Sequence, residues 1–176
     1  NFLIMKKIIL LLLISLLVSS TIYAQSKKEK KAEKALQEYK DMKALIEGME
    51  FDFQADWATT LQGRRISLTS NANFLKFRND SVNIYLPYFG TSTSGGAAMT
   101  NDGGIVYSGP VKKFKMSVND KKKKILLDFE ANDKNDTFIF NMVIFKGGNT
   151  LINVISDYRS SIKYDGQTRA PKPDKK

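Results

Sequence analysis

The chain has neither cysteine nor histidine among its 176 residues, and only one tryptophan and four prolines. Without cysteine there is no disulfide to staple a small domain, so the core must hold by packing. A bacterial lipoprotein anchor, which needs a cysteine just after an apolar run, is excluded too. Without histidine there is no Ser-His-Asp triad, no Cys-His dyad and no His-dependent zinc site. The catalytic routes left open are carboxylate pairs and a Ser–Lys dyad. Long apolar runs are scarce as well: Ile8 to Val18 is 11 residues, against about 20 needed to cross a bilayer as a helix.

That run has a meaning of its own. Met5 is the expected initiator; Lys6-Lys7 precede the apolar run, and Ser19-Ser20-Thr21-Ile22-Tyr23-Ala24 follow it. A positive start, a short apolar centre and a small residue at the end form the pattern of a secretion signal. Residues 1–24 are therefore read as a cleaved signal peptide, with Gln25 as the mature N-terminus. The competing reading, an uncleaved anchor, needs a longer run. The expectation is a periplasmic or secreted protein with no transmembrane anchor after cleavage.

Basic residues number 28 and acidic 18; without Lys6 and Lys7 the balance is 26 to 18. The excess is uneven. Residues 26–49 carry seven lysines against five acids, and residues 167–176 carry four basic residues against one acid. Between them, residues 50–166 hold 15 basic and 12 acidic residues. A nearly balanced centre with charged termini argues against nucleic acid as a partner. A chain of this length buries one core without a second domain.

Residues 26–49 read as one helix: Ala32, Ala35, Leu36, Tyr39, Met42, Leu45, Ile46 and Met49 recur every three or four positions, and Gly48 stands where a C-terminal cap belongs. From Phe51 the period changes to two. Phe51, Phe53, Ala55 and Trp57 share one face; Val82, Ile84, Leu86 and Tyr88 repeat the pattern, as do Phe114, Met116 and Val118. Such alternation describes sheet with one wet face. Thr137 to Phe145 is apolar in both phases and reads as a central strand covered on both sides. Turns are signalled at Asn79-Asp80-Ser81, Asn119-Asp120, Asn132 to Asp136 and Gly147-Gly148-Asn149. Spacings this short make antiparallel hairpins. The implied fold class is mainly β: an antiparallel sandwich or barrel-like domain over residues 50–166, of about eight to ten strands, behind one amphipathic helix. Residues 167–176, with Pro171 and Pro173 among lysines, read as a disordered basic tail.

Three stretches stand out together: Phe51-Asp52-Phe53-Gln54-Ala55, Leu86-Pro87-Tyr88-Phe89-Gly90 after Asp80-Ser81-Val82, and Ile162-Lys163-Tyr164-Asp165-Gly166. In these the chain resembles the bacterial, Bacteroidota-type domain of unknown function 4251 family over about residues 35–168. The resemblance implies an exported β-rich protein and supplies no catalytic residue.

Two places are candidates for ligand binding. Tyr88, Phe89 and Gly90 end a strand and open the Gly/Ser/Thr-rich loop from Thr91 to Gly104, and long loops are often functional. Alternatively the aromatic pair plugs the end of the core. Gly95-Gly96 lacks the Lys and Ser/Thr of a P-loop. Lys121 to Lys124 form a hairpin tip whose first strand also projects Lys113 and Lys115. Lys113, Lys115, Lys122 and Lys124 are thus candidates for holding an anionic envelope lipid or glycan. The plainer role of such a tip is to keep sheet edges from pairing. Asp52 with Asp56, and Asp128 with Glu130, alternate onto shared faces. They are the pairs a glycan hydrolase would need, and otherwise are surface charge. Asp133, Asn135 and Asp136 lack the spacing of a calcium loop. No metal and no cofactor is expected. The reading is a non-catalytic envelope module that binds a ligand or partner, with a carboxylate-dependent hydrolase as the alternative.

Overall fold

Alternating residues build the strands, and their turns decide how the strands close. The computed structural model describes Lys6 and residues 27–91, 104–132 and 136–172. Apart from Lys6, the expected signal peptide with its cleavage point, loop residues 92–103, positions 133–135 of the calcium idea and residues 173–176 of the tail lie outside the described residues. The chain divides into two units, 1–37 and 38–176, and the strands all belong to the second.

A helix, α1, is described over residues 27–47 and ends two residues before the expected boundary. Gly48 and Met49 leave it in a turn, their N–H groups bonding back to the carbonyls of Ala44 and Ile46, and Met49 takes a left-handed φ of 56°. Among the described residues ten strands follow: β1 (Glu50–Thr60), β2 (Arg65–Ser67), β3 (Phe74–Arg78), β4 (Ser81–Leu86), β5 (Ile105–Pro110), β6 (Lys112–Asn119), β7 (Lys124–Asn132), β8 (Thr137–Phe145), β9 (Asn149–Ser156) and β10 (Ile162–Arg169). All pairings are antiparallel, in the order β5-β4-β3-β1-β10-β9-β8-β7-β6, with short β2 added to β1. β5, at one edge, comes round to β7, so one continuous sheet makes a nearly closed barrel. Of the two architectures expected, barrel and sandwich, the barrel is the one formed. β10 runs on to Arg169, so the strand continues three residues into the segment read as a tail.

Stacked aromatic rings occupy the interior. Phe77 of β3 stacks on Phe51 of β1 at 5.0 Å between ring centres and meets Phe129 of β7 edge-on at 5.4 Å; Phe129 in turn stacks on Phe140 of β8 at 4.8 Å. This ladder joins strands on opposite sides of the barrel and fills the space between them with aromatic rings. Tyr39, Met42 and Ile46 of α1 are buried with the same core.

Three expected orientations are corrected. Trp57 points outward, because a bulge between Ala55 and Trp57 shifts the phase of β1 and Ala58 takes the inward place. One extra residue on one strand reverses every side chain beyond it. Asn73 repairs the bulge: its amide accepts from Ala55 N–H at 2.7 Å and donates to Ala55 C=O at 3.0 Å. Gly166, opposite Ala55 on β10, makes it possible, since a Cβ there would run into the carbonyl oxygen of Gln54. β8 is paired on both edges but buried on one face only; Phe138, Phe140, Met142 and Ile144 face inward, Ile139 and Val143 are half-buried, and Phe145 is exposed. Met116 is also exposed, on β6, where a bulge between Lys112 and Lys115 breaks the alternation at the sheet edge.

Candidate functional site

The barrel has two ends. At one, β4 finishes and β9 passes into β10; at the other lie the β6–β7 tip and the β8–β9 turn.

The first end contains Tyr88, Phe89 and Gly90, and they are bound into the structure. The Tyr88 hydroxyl lies 2.9 Å from both the carbonyl and the Oγ of Ser160, and 3.0 Å from the carbonyl of Thr91. Thr91 N–H donates to Ser160 Oγ, and Ser160 N–H to the Thr91 carbonyl. A Cβ on Gly90 would strike the Tyr88 hydroxyl, so glycine there keeps this closure. Phe89 packs against the core. Tyr164 is fully buried and donates to the Pro87 carbonyl at 2.8 Å; burial, with Tyr88 nearby, raises its hydroxyl far above the usual tyrosine value, against a lowering by Arg159. Beside them Arg159 and Asp136 form a buried ion pair, Nε to Oδ2 3.6 Å, with side chains 8% and 5% exposed. Arg159 lies over the Tyr88 and Phe138 rings and donates to the Gly104 carbonyl at 3.1 Å. Ser156 donates to the Asp136 carboxylate and accepts the N–H groups of Tyr158 and Arg159. The three stretches that stand out in the sequence are thus joined: Tyr164 reaches Pro87, and Gly166 backs onto Gln54 and Ala55 at the bulge.

The second end is different. The tip is shaped by Asn119, whose side-chain oxygen accepts Lys122 N–H at 2.9 Å, and by Lys123 in a left-handed φ of 49°. Asp120 is turned to α1, accepting from the Tyr39 hydroxyl at 2.9 Å and lying 3.6 Å from Lys43 Nζ. Burial first, then the hydrogen bond and charge of Asp120, and last the charge of Glu47, push the Tyr39 hydroxyl up to about 12. With Asp120 engaged, Lys121, Lys122 and Lys123 have no ion-pair partner among the described residues. They border a cavity of about 750 Å³ on the outer face of the sheet. Lys146 joins the same rim and also lies 3.9 Å from Glu38. The floor is apolar, with exposed Phe145 and Leu151, and the far wall carries Asp56 and Asp165. Asn149 and Gln167, whose side chains bond each other, sit between.

The structure therefore separates the sequence candidates. Lys122 borders the cavity. Lys113 is taken by Glu130, Nζ to Oε1 2.9 Å. Lys115 is exposed beside Asp128 in the ladder, and half-buried Lys124 opposes Phe145. Tyr88, Phe89 and Gly90 are at the other end. Nor do the carboxylates gather as the hydrolase pairs require: Asp52 lies 2.7 Å from Arg78, Glu130 holds Lys113, and Asp128 accepts from Asn141 at 2.8 Å. Of the four, Asp56 alone borders the cavity, with Asp165 rather than Asp52. Among the described residues no cluster of His, Cys, Asp and Glu is suited to a metal, and no helix is long and apolar enough to cross a membrane. Sequence reasoning missed Lys146, Phe145, Leu151 and Asp165, which come from three strands and a turn. Their only local signals are the glycines beside them at 147, 148 and 166.

The model of one family, Domain of unknown function (DUF4251), matches residues 33–168. Among solved structures, the chain is similar to a DUF4251 family protein from Bacteroides eggerthii, with a TM-score of 0.57 and 18% identity over 76% of this chain and 87% of that one. At that identity the likeness speaks for the fold. No curated protein matches. With a match across most of the chain, and with its three sequence signatures meeting in one barrel, this protein belongs to the DUF4251 family.

Proposed function

We propose that this protein is an exported, non-catalytic binding module, and that its site is the lysine-rimmed cavity at the β6–β7 tip. The observation that carries the reading is that Lys121, Lys122 and Lys123, unpaired among the described residues, border an apolar floor of Phe145 and Leu151. Unpaired cations beside exposed apolar surface suit a ligand with an anionic group and an apolar part. Anionic envelope lipids and acidic glycans are of that kind. Export rests on the charged, apolar and small-residue succession of residues 6–24.

Titration calorimetry with dodecyl phosphate tests the site: the mature chain binds, and Lys121→Glu/Lys122→Glu/Lys123→Glu does not. Equal binding by the two proteins refutes the site. N-terminal sequencing of the protein from a periplasmic fraction tests export, with Gln25 expected first. The hydrolase alternative has a place to act, since Asp56 and Asp165 border the same cavity. Release of reducing sugar from an acidic glycan, lost in Asp56→Asn, would favour it over simple binding.

A further inference from the structure

The cavity's charges are sorted by sign. Strand order places Asp56 on β1 and Asp165 on β10 at one side, Leu151 of β9 and Phe145 of β8 in the middle, and the lysine tip beyond β7 at the other. Neither aspartate has a basic partner among the described residues, and neither do the three tip lysines have an acidic one. The opposed groups therefore leave each other unneutralised. A ligand that is only an anion satisfies the lysines and faces two carboxylates at its far end.

We infer that the site takes a short extended peptide with both termini free, its carboxylate at Lys121–Lys123 and its ammonium at Asp56 and Asp165. This rests on the binding role proposed above and narrows it. The span decides among dipolar ligands. From Asp165 on β10 to β7, where the tip ends, is three inter-strand steps along the sheet, about 14 Å at roughly 4.8 Å each, with Asp56 on β1 one step further. An extended chain rising about 3.3 Å per residue covers that with about four residues, whereas the phosphate and amine of a zwitterionic lipid headgroup are joined by two carbons and fall well short. The middle of the site suits a peptide's middle. Leu151 and Phe145 offer contact to small apolar side chains, and the Asn149–Gln167 pair presents amide donors and acceptors of the kind peptide bonds use.

The test is calorimetry on the mature chain with the tetrapeptide Ala-Ala-Leu-Ala in four forms: both termini free, N-acetylated, C-amidated, and doubly blocked. Each block is expected to weaken binding about tenfold, the loss of one charge-assisted contact, and the doubly blocked form to bind weakest. In Asp56→Asn/Asp165→Asn the acetylation effect disappears while the amidation effect stays. In Lys121→Ala/Lys122→Ala/Lys123→Ala the reverse holds. Circular dichroism on each variant establishes that the barrel is folded. Dodecyl phosphate binding without peptide binding overturns this inference and leaves the binding module standing. So does a preference for phosphatidylethanolamine vesicles or a partly deacetylated amino-sugar oligomer over the free tetrapeptide. Failure of both the tetrapeptide and dodecyl phosphate overturns the two readings together.

Discussion

The two ends of this barrel treat charge in opposite ways. At the Tyr88 end, Arg159 and Asp136 are buried together, Ser156 completes the carboxylate's bonding, and two aromatic rings cover the guanidinium. At the lysine end, three cations and two carboxylates border one cavity without partners among the described residues. Charges that are buried and bonded fix a structure, whereas charges left open on a shaped surface are available to a second molecule. The most conspicuous motif in the sequence, Leu86 to Gly90, belongs to the closed end. The plain run of lysines belongs to the open one.

Substitutions can break that contrast, and the largest effect belongs to the closed end. Asp136→Ala leaves Arg159 buried without its partner and is expected to lower unfolding free energy by about 3–5 kcal/mol in urea denaturation. At the bulge, where β10 borders the cavity, Gly166→Ala forces a Cβ against the Gln54 carbonyl and should cost about 3 kcal/mol by the same measurement. Tyr88→Phe removes the hydroxyl that ties Thr91 to Ser160, for about 1–2 kcal/mol, with dodecyl phosphate binding unchanged. A loss of binding at equal stability would instead make Tyr88 part of the site.

A pH scan examines where α1 meets the tip. Tyr39's hydroxyl is pushed up to about 12 from an ordinary 10, so the folded protein holds this proton more tightly than the unfolded chain. Its contribution to stability is complete below pH 10 and fades as pH rises from 10 toward 12. Tyr39→Phe should lose about 1 kcal/mol at neutral pH for the bond to Asp120 and show a shallower decline across that window, read by thermal melts. The smallest stability effect is expected at the open end: Lys121→Ala/Lys122→Ala/Lys123→Ala should stay within about 0.5 kcal/mol of the parent in urea while losing dodecyl phosphate binding.

Strand content, antiparallel pairing and the helix before the strands were legible because period-two and helical spacing repeat over whole elements. Trp57 shows where that legibility ends. Ala55, Trp57 and Ala58 put apolar residues on both phases, so the bulge between them leaves no trace in the pattern; only Gly166, a glycine inside a strand, hinted at a close approach. Phe145 misled for a related reason, since an apolar residue on β8 serves equally as covered core or as exposed cavity floor. The lysine tip could be read locally. Its companions Asp56, Leu151 and Asp165 could not, because the successive pairing of β1, β10, β9, β8 and β7 brings them there. Asp136 looked like a turn residue and is one half of a buried ion pair whose partner lies 23 positions further on.

The claim that the open end binds and the closed end holds is tested most directly by amide-resolved NMR of the mature chain titrated with dodecyl phosphate. The expected shifts fall on Lys121–Lys123, Phe145–Leu151 and Asp165–Gln167, with Tyr88–Thr91 and Ser156–Ser160 unmoved. Shifts centred on Tyr88–Thr91 and Ser160, with the lysine tip silent, would contradict it.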